Sequence, residues 1–250
     1  MPDSFDLVRG LGELPDRAAA WRFIRDFAVH WSTPVLDTDG VGEAELDAAE
    51  ARLGVRLPAA VREAYRLFGR RADLTSENGL LYAPDELEYD AADQILVFRA
   101  AHQGVAFTGV SLADPTEPDP PTRTYTPMLD PEHEGWTPFL DRFSLTCVEL
   151  VLWESVEGGG AMSDGRDQEA GEPAALVAGL TRLPFPRYPD EHGPSRWYAN
   201  SEILLHDDGA WVGIRARTRE ALDEFRRAHP GHWVDDPAGG PVTVGPDAAS

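Results

Sequence analysis

Apolar side chains recur every three or four residues in the first part of the chain, which is the spacing of amphipathic α-helices. Asp16 stands directly before the first such stripe and is a residue type that caps helix N-termini well. The pattern therefore predicts a helix from Asp16 to Trp31, with a core-facing stripe made of Ala20, Ile24, Phe27 and Trp31.

A tight helical hairpin is predicted next, where a glycine and a Leu-Pro step separate two further apolar stripes. Acids open the helix expected at residues 43–53, where the helix dipole favours them, and Gly54 suits its C-terminal end. Pro58 suits the first turn of the following helix, and it restricts Leu57 to an extended conformation. Leu57 is therefore expected to fill the gap between the two helices.

Short apolar runs replace the helical spacing in the next part of the chain, and such runs are typical of strands. A buried strand is predicted at residues 95–98, a turn at Gln103 and Gly104, and a partner strand at residues 105–110. The segment 112–127 is interpreted as an acidic surface loop without regular structure, because prolines crowd its centre.

A long buried helix is predicted after Thr137 and Pro138, which resemble an N-cap followed by a first-turn proline. Its apolar stripe extends to about residue 156 and consists of Phe139, Phe143, Cys147 and Val151. Residues 157–174 are rich in glycine and acids, and this composition indicates a flexible connector.

A compact ββα unit is predicted near the C-terminus. Strands are expected at residues 197–205 and 211–217, and Asp208 and Gly209 form a strong hairpin signal between them. Thr218 is expected to cap the helix that follows the second strand.

These patterns together predict an α+β fold, with N-terminal helices packed on a mostly antiparallel central sheet and an appended C-terminal ββα unit. The expected organisation is a main domain at residues 1–156, a flexible connector at 157–174, a ββα extension packing on the main domain at 175–234, and a frayed tail at 235–250.

The order and spacing of several short motifs resemble the SMI1/KNR4 family, also called the SUKH superfamily. The family pattern places an acid before a Leu-Gly step, followed by a Leu-Pro step and an amphipathic helix; the matching residues are Glu50, Leu53, Gly54, Leu57 and Pro58. A Pro-Asp/Glu-Leu step and a Gln-Gly turn follow in the family, and here they correspond to Pro84, Asp85, Glu86, Leu87, Gln103 and Gly104. The resemblance covers roughly residues 40–155.

The resemblance implies a non-catalytic domain that binds another protein and needs no cofactor. Bacterial members of the family are regarded as immunity proteins that neutralise toxins, many of them nucleases or deaminases. Fungal members act through protein contacts in regulating cell-wall synthesis. An immunity protein is therefore the expected function. The alternatives are a regulatory or scaffold protein with an endogenous partner, or a small-molecule-binding protein or enzyme that uses the cleft between the main domain and the ββα unit.

The charge balance narrows the possible partners. The chain has 44 acids and 22 basic residues, giving a net charge of −22, and every basic residue is arginine. Such a charge repels nucleic acids and anionic membranes, and it favours encounter with a basic protein such as a toxin. The alternative is a merely acidic protein whose charge has no partner-specific role. The single cysteine, Cys147, excludes an intrachain disulfide, and the N-terminal segment lacks the apolar run of a signal peptide. A soluble cytoplasmic protein is expected.

No catalytic or metal-binding constellation is predicted. Asp37, Asp39 and Gly42 begin like a calcium loop, but the required later ligands are absent, so this stretch is interpreted as an acidic turn. His229 and His232 are separated by proline and glycine and have no flanking carboxylate helix. Cys147 falls on the apolar stripe of the buried helix and is interpreted as a core residue.

Aromatic residues beside acids are the candidate partner-binding residues, because tryptophan and tyrosine often anchor protein interfaces. The alternative for each ring is a core or half-buried position, and the alternative for the acidic loop is a solvated surface. Trp136 follows two acids, and a second aromatic pair follows an acidic segment near the C-terminus. The candidates are Trp136 with Glu132 and Glu134, the acidic-loop residues Asp114, Glu117 and Asp119, and the pair Trp197 and Tyr198.

Overall fold

The structure is a computed structural model that describes residues 5–127, 135–158, 160–168, 173–186, 188–189 and 195–235. These residues form an α+β fold, in which N-terminal helices precede a first antiparallel sheet and a second antiparallel sheet lies near the C-terminus. The predicted fold class is confirmed. Among the helices of the described ranges, none is long and apolar enough to cross a membrane.

The N-terminal layer is helical. It consists of α1 (Leu7–Gly12), α2 (Arg17–Trp31), α3 (Glu43–Leu53), α4 (Ala59–Phe68) and α5 (Ala72–Thr75). Asp16 caps α2 as predicted, because its carboxylate accepts a hydrogen bond from the Ala19 amide at 2.8 Å. Gly54 ends α3 with a φ of 72°, a left-handed conformation that favours glycine.

The predicted hairpin between α3 and α4 is present, with a buried hinge at Leu57. The Leu57 amide donates a hydrogen bond to Glu50 Oε1 at 2.9 Å, so the motif acid holds the hinge. Arg62 of α4 also contacts Glu50 Oε1, at 3.1 Å. Pro58 directly precedes α4 as its N-cap residue and does not lie within its first turn.

The first sheet, sheet A, is entirely antiparallel. Its strands are β1 (Leu80–Leu81), β2 (Glu88–Asp90), β3 (Ile95–Ala100), β4 (Phe107–Ser111), β5 (Thr122–Tyr125) and β6 (Thr137–Pro138). The order is β1-β3-β4-β5-β6, and β2 also pairs with β3. The predicted β3–β4 pair is confirmed, and Gln103 (φ 58°) and Gly104 (φ 70°) make the turn between them.

The prediction for residues 112–127 is wrong in its second half. Residues 122–125 form β5 and pair with β4, because alternating threonines and an aromatic suit a strand once β4 offers a free edge. Thr137 and Pro138 do not start a helix either, since they form β6 on the outer side of β5. The buried helix, α6 (Phe143–Glu157), begins five residues later than Pro138.

The second sheet, sheet B, has the order β7-β11-β10-β9-β8. Its strands are β7 (Ser163–Asp167), β8 (Thr181–Arg182), β9 (Arg196–Ala199), β10 (Ile203–Asp207) and β11 (Trp211–Ala216), and it is accompanied by α7 (Pro173–Leu176) and α8 (Arg219–Ala228). The hairpin near Gly209 and the Thr218 cap of α8 are confirmed. The rest of the ββα prediction is incomplete, because the sheet has five strands where two were expected.

Two features correct that prediction. The segment expected to be a flexible connector contains β7, which pairs along β11 and carries the buried Asp164. Residues 197–205 are not one strand, because Asn200 Oδ1 accepts the amides of Glu202 and Ile203, each at 2.8 Å, and turns the chain between β9 and β10. The C-terminal part is therefore a five-stranded sheet, and the predicted tail beyond residue 235 lies outside the described residues.

Helix α6 is central to the packing. It contacts α2, α4 and α5 of the helical layer and also β7, β10 and β11 of sheet B. The main core includes residues from both parts, among them Phe98 of sheet A, Val148 of α6 and Leu204 of sheet B. A smaller core lies between sheet B and α8 and includes Ile214 and Leu222.

Candidate functional site

The outer face of sheet A carries a row of aromatic rings, which we call the aromatic groove. Phe107 of β4 and Tyr125 of β5 are cross-strand partners, with ring centroids 6.4 Å apart. Trp136, just before β6, lies 5.7 Å from the Tyr125 ring. All three side chains are half-buried, so each ring packs on the sheet and keeps part of its surface toward solvent. The groove has a volume of about 510 Å³.

A glycine allows the tryptophan to lie close to the sheet. Gly109 of β4 is below Trp136, and a Cβ atom at this position would lie 3.3 Å from Trp136 Cη2. The same Cβ would lie 2.1 Å from Ile95 Cγ2, which is too close for any side chain to be accepted without a shift. The absence of a side chain at residue 109 thus shapes the groove.

Carboxylates line one side of the aromatic groove. Glu88 and Asp93 are exposed, and Asp90 is half-buried beside Trp136. Asp90 Oδ1 accepts the amides of Ala92 and Asp93 at 3.0 and 3.3 Å, and its Oδ2 accepts the Trp136 indole N–H at 3.4 Å. The Asp93 amide, followed by the Trp136 indole, lowers the pKa of Asp90 and favours its ionised form. The groove therefore combines aromatic surface with fixed negative charge.

Only some of the predicted partner-binding residues lie at the surface of the described structure. Trp136 lies in the aromatic groove, whereas Glu132 and Glu134 lie outside the described residues. Asp114 and Glu117 are exposed. Tyr198 is half-buried against the smaller core.

Two of the candidates are buried: Trp197 takes the core position that was the alternative for it, whereas Asp119 does not lie in a solvated loop as expected. Trp197 is only 2% exposed, because β9 directs it into the main core. Asp119 is 7% exposed and caps α6, accepting the Ser144 amide at 2.9 Å and its hydroxyl at 2.6 Å. Asp119 therefore supports the start of α6.

Phe107, Tyr125 and Asp90 were not identified from the sequence. Tyr125 falls in the segment predicted to be a loop, and Phe107 has no acids beside it in sequence. The three come together through the successive pairings of β2 with β3, β3 with β4 and β4 with β5. A usable signal was the Thr-Arg-Thr-Tyr alternation of residues 122–125, which is typical of a strand.

A second concave site, which we call the inter-sheet pocket, lies between sheet A, α6 and sheet B and has a volume of about 360 Å³. Its polar lining includes Arg99, Glu149, Tyr188, Ser195 and His206. Its apolar lining includes Ala101, Val105, Ala106, Phe139 and Trp153. Apolar walls with a few convergent polar groups are typical of small-molecule sites.

Buried ion pairs stand behind one wall of the inter-sheet pocket. Arg99 of β3 contacts Glu154 Oε1 at 2.8 Å and Glu149 Oε2 at 3.6 Å. Glu154 also accepts the amides of Asn78 and Gly79, so it is fully engaged. Within the described residues Glu149 Oε2 has no hydrogen-bond partner. Burial raises the pKa of Glu149, against the opposing effect of Arg99 and of the Tyr188 hydroxyl, which donates to Oε1 at 2.8 Å.

A second polar chain joins α6 to sheet B. Ser195 Oγ lies 2.8 Å from His206 Nε2, and His206 Nδ1 lies 3.3 Å from Glu157 Oε1. The connectivity is that of a hydrolytic triad, but the His206 ring is 1% exposed and enclosed by Trp153 and Trp197 at 4.8 and 4.5 Å. We therefore interpret this chain as a structural link.

The remaining chemical candidates are also structural. Cys147 is buried in α6, and this burial raises the pKa of its thiol, which disfavours the nucleophilic thiolate. Asp39 accepts the Leu36 amide at 2.8 Å and pairs with Arg71 at 2.9 Å. The described residues contain no group of three or more His, Cys, Asp or Glu side chains arranged to hold a metal ion.

Comparison of the chain with protein-family models, with curated proteins and with solved structures finds no match to any of them. The resemblance to the SMI1/KNR4 family thus continues to rest on the sequence motifs. In the structure, those motifs are local supports: Glu50 caps the hinge, Leu57 is buried, and Gln103 and Gly104 turn the chain between β3 and β4.

Proposed function

We propose that the chain is a non-catalytic, protein-binding domain of the SMI1/KNR4 type that binds a basic protein through the aromatic groove. In a bacterium, the partner would be a toxin with a basic active site, such as a nuclease or deaminase, and the chain would neutralise it by occlusion. The observation that carries the proposal is the row of Phe107, Tyr125 and Trp136 beside ionised Asp90.

The aromatic groove has the two properties that such binding needs. Its rings offer large apolar area at little conformational cost, as the anchors of protein interfaces do. Its acids, Glu88, Asp90 and Asp93, are complementary to arginine or lysine side chains placed around an apolar contact. Cationic side chains are also attracted to the faces of tryptophan and tyrosine.

The net charge supports the same kind of partner. A nuclease surface is basic because it binds phosphates, and a protein of net charge −22 attracts that surface from a distance. A regulatory or scaffold role would use the same groove with an endogenous partner, so the identity of the partner separates these two functions. The inter-sheet pocket favours a second candidate function, small-molecule binding.

Affinity capture of the tagged chain from its native lysate, followed by mass spectrometry, tests the proposal. Wild type is expected to retain a basic protein in stoichiometric amount, and Trp136→Ala is expected to lose it, because truncation removes the largest ring of the row. Glu220→Gln, which changes an exposed acid on α8, is the matched control and should retain the partner. Thermal unfolding of Trp136→Ala shows whether the variant is folded.

Co-expression decides between the two roles of the groove. If the captured protein is toxic alone and harmless with wild type, but toxic again with Trp136→Ala, the immunity function is supported. An abundant housekeeping partner that depends on Trp136 indicates the regulatory role. Equal capture by wild type and folded Trp136→Ala contradicts binding through the aromatic groove.

A further inference from the structure

The inter-sheet pocket is separate from the aromatic groove and plays no part in the proposed function. It is bounded by the β3–β4 end of sheet A, by α6 and by the β10 end of sheet B. Val105 is 51% exposed at its opening, whereas Glu149 and His206 are almost fully buried at its walls. The pocket therefore leads from solvent to a charged interior.

The charges around this pocket are mostly negative. Glu149 lies in its wall, Glu154 and Glu157 stand directly behind Arg99 and His206, and Asp208 is exposed at its lining. The guanidinium of Arg99 is shared between Glu154 and Glu149. One guanidinium thus faces several carboxylates, and an anionic ligand would meet a net unfavourable field.

The remaining walls are aromatic and aliphatic. Trp153 is half-buried and lies edge-on to His206, and Phe139 packs at 5.6 Å from the Tyr188 ring. A cation over such rings is attracted to their faces, most strongly where water is excluded. Apolar walls around a negative interior suit a ligand that is itself apolar at one end and positively charged at the other.

We propose that the inter-sheet pocket binds an organic ammonium ion with an apolar or aromatic body, oriented with its charge toward Glu149 and its body between Trp153 and Phe139. Glu149 Oε2 lies 3.6 Å from the Arg99 guanidinium but accepts no hydrogen bond within the described residues, so an ammonium group would supply it with a donor and a second counter-charge. The same chemistry is found in a free aromatic amine and in the lysine side chain of a protein.

The test compares a charged probe with a neutral one of the same shape. Binding of phenethylammonium and of phenethyl alcohol to the full chain is measured by calorimetry and by ligand-detected NMR. We expect phenethylammonium to bind at least about tenfold more tightly, because only it has the charge that Glu149 and the aromatic faces attract. Equal affinities, or no binding of either probe, overturn the proposal.

Variants locate the bound probe. Glu149→Gln keeps the shape of the side chain and its acceptor for Tyr188, and it should lose most of the preference for the ammonium ion. Ala106→Leu places extra volume in the pocket and should weaken both probes without removing any charge. Asp90→Asn is the control, because it alters the aromatic groove alone. Loss of binding in Asp90→Asn, with retention in Glu149→Gln and Ala106→Leu, contradicts the proposal.

A third probe, Nα-acetyl-lysine methylamide, distinguishes the two sources of the ammonium group. Tighter binding of phenethylammonium identifies a free aromatic amine as the ligand class, and tighter binding of the lysine derivative identifies a protein side chain. Both results support the site. Because the assay needs no protein partner, its failure is distinguishable from failure of the function proposed for the aromatic groove.

Discussion

At the scale of single residues, the function proposed for sheet A depends on positions where a side chain is absent or a charge is held in place. Gly109 provides the space in which Trp136 packs, and Asp90 fixes the indole from the side. Neither position stands out in the sequence, since a glycine in a strand and an acid at the end of a strand are both common. Their importance comes from what the fold places beside them.

Substitution of Gly109 by alanine should destabilise the protein. The new Cβ would lie 2.1 Å from Ile95 Cγ2, and Ile95 is buried, so the sheet or the side chain must shift. We expect a loss of about 1–3 kcal/mol in the free energy of unfolding, measured by urea denaturation. Gly12→Ala is the control, because no atom lies within 4 Å of a Cβ there. An equal effect of the two substitutions would contradict this account.

Glu149 should make stability depend on pH. Burial raises its pKa in the folded state above the ordinary value of 4.5, although Arg99 and Tyr188 oppose the shift and Glu154 adds to it. The folded state therefore holds the proton more strongly, and the free energy of unfolding should fall as pH rises from about 4.5 through the folded pKa.

Glu149→Gln should flatten this part of the pH profile, because glutamine has no proton to lose. The measurement is urea denaturation at several pH values between about 4 and 8, a range that covers the ordinary carboxyl pKa and values raised by burial. The exposed-acid variant Glu220→Gln serves as the control. If Glu149→Gln and wild type show the same dependence of unfolding free energy on pH, Glu149 is not the group responsible for that dependence.

At the scale of elements, the sequence predicted what is encoded locally. The stripe and cap of α2, and the hairpin of α3 and α4 with its Leu57 hinge, depend on residues within a few turns of one another. Strands β5, β6 and β7 were missed because each is stabilised by a neighbour distant in the sequence. Proline and glycine residues near these strands indicated loops, and this signal was stronger than the short alternating patterns within the strands themselves.

The start of α6 gives a prediction at this scale. Asp119 lies in the proline-rich segment and accepts two hydrogen bonds from Ser144, so this segment holds the beginning of the helix. Asp119→Ala should lower the free energy of unfolding by about 2–3 kcal/mol, because it leaves a buried amide without its acceptor. Thermal or urea unfolding measures the loss.

Asp114→Ala, in the exposed part of the same segment, is the comparison and should change the free energy of unfolding by less than about 0.5 kcal/mol. Similar losses of unfolding free energy in the two variants would contradict a structural role for Asp119 and would support the solvated loop predicted from the sequence. A large difference locates the structural role at its buried end.

At the scale of the whole molecule, sequence reasoning predicted the fold class and one residue of the aromatic groove. Trp136 was identifiable because acids precede it, but the groove itself needs four strands, β2 to β5, in register. The inter-sheet pocket was anticipated only as a possible cleft, since its walls come from residues as far apart as Asn78 and Asp208. Sites built across two sheets are not visible in local patterns.

The net charge of −22 leads to a prediction for partner binding. Added salt screens long-range attraction, so the association rate with a basic partner should fall roughly tenfold between low salt and about 0.5 M salt. Stopped-flow or surface-based kinetics with the captured partner measures this rate, and the dissociation rate should change much less. An association rate independent of salt would contradict electrostatic attraction of the partner by the acidic surface.

The position of α6 has a consequence for any attempt to divide the protein. Its side chains serve both parts at once: Glu154 binds Arg99 of sheet A, while Glu157 binds His206 and Trp211 of sheet B. A fragment ending at residue 158 would present an apolar, acid-bearing helix face to water. We therefore expect the two sheets to unfold together, so that heat or denaturant melts the protein in a single transition.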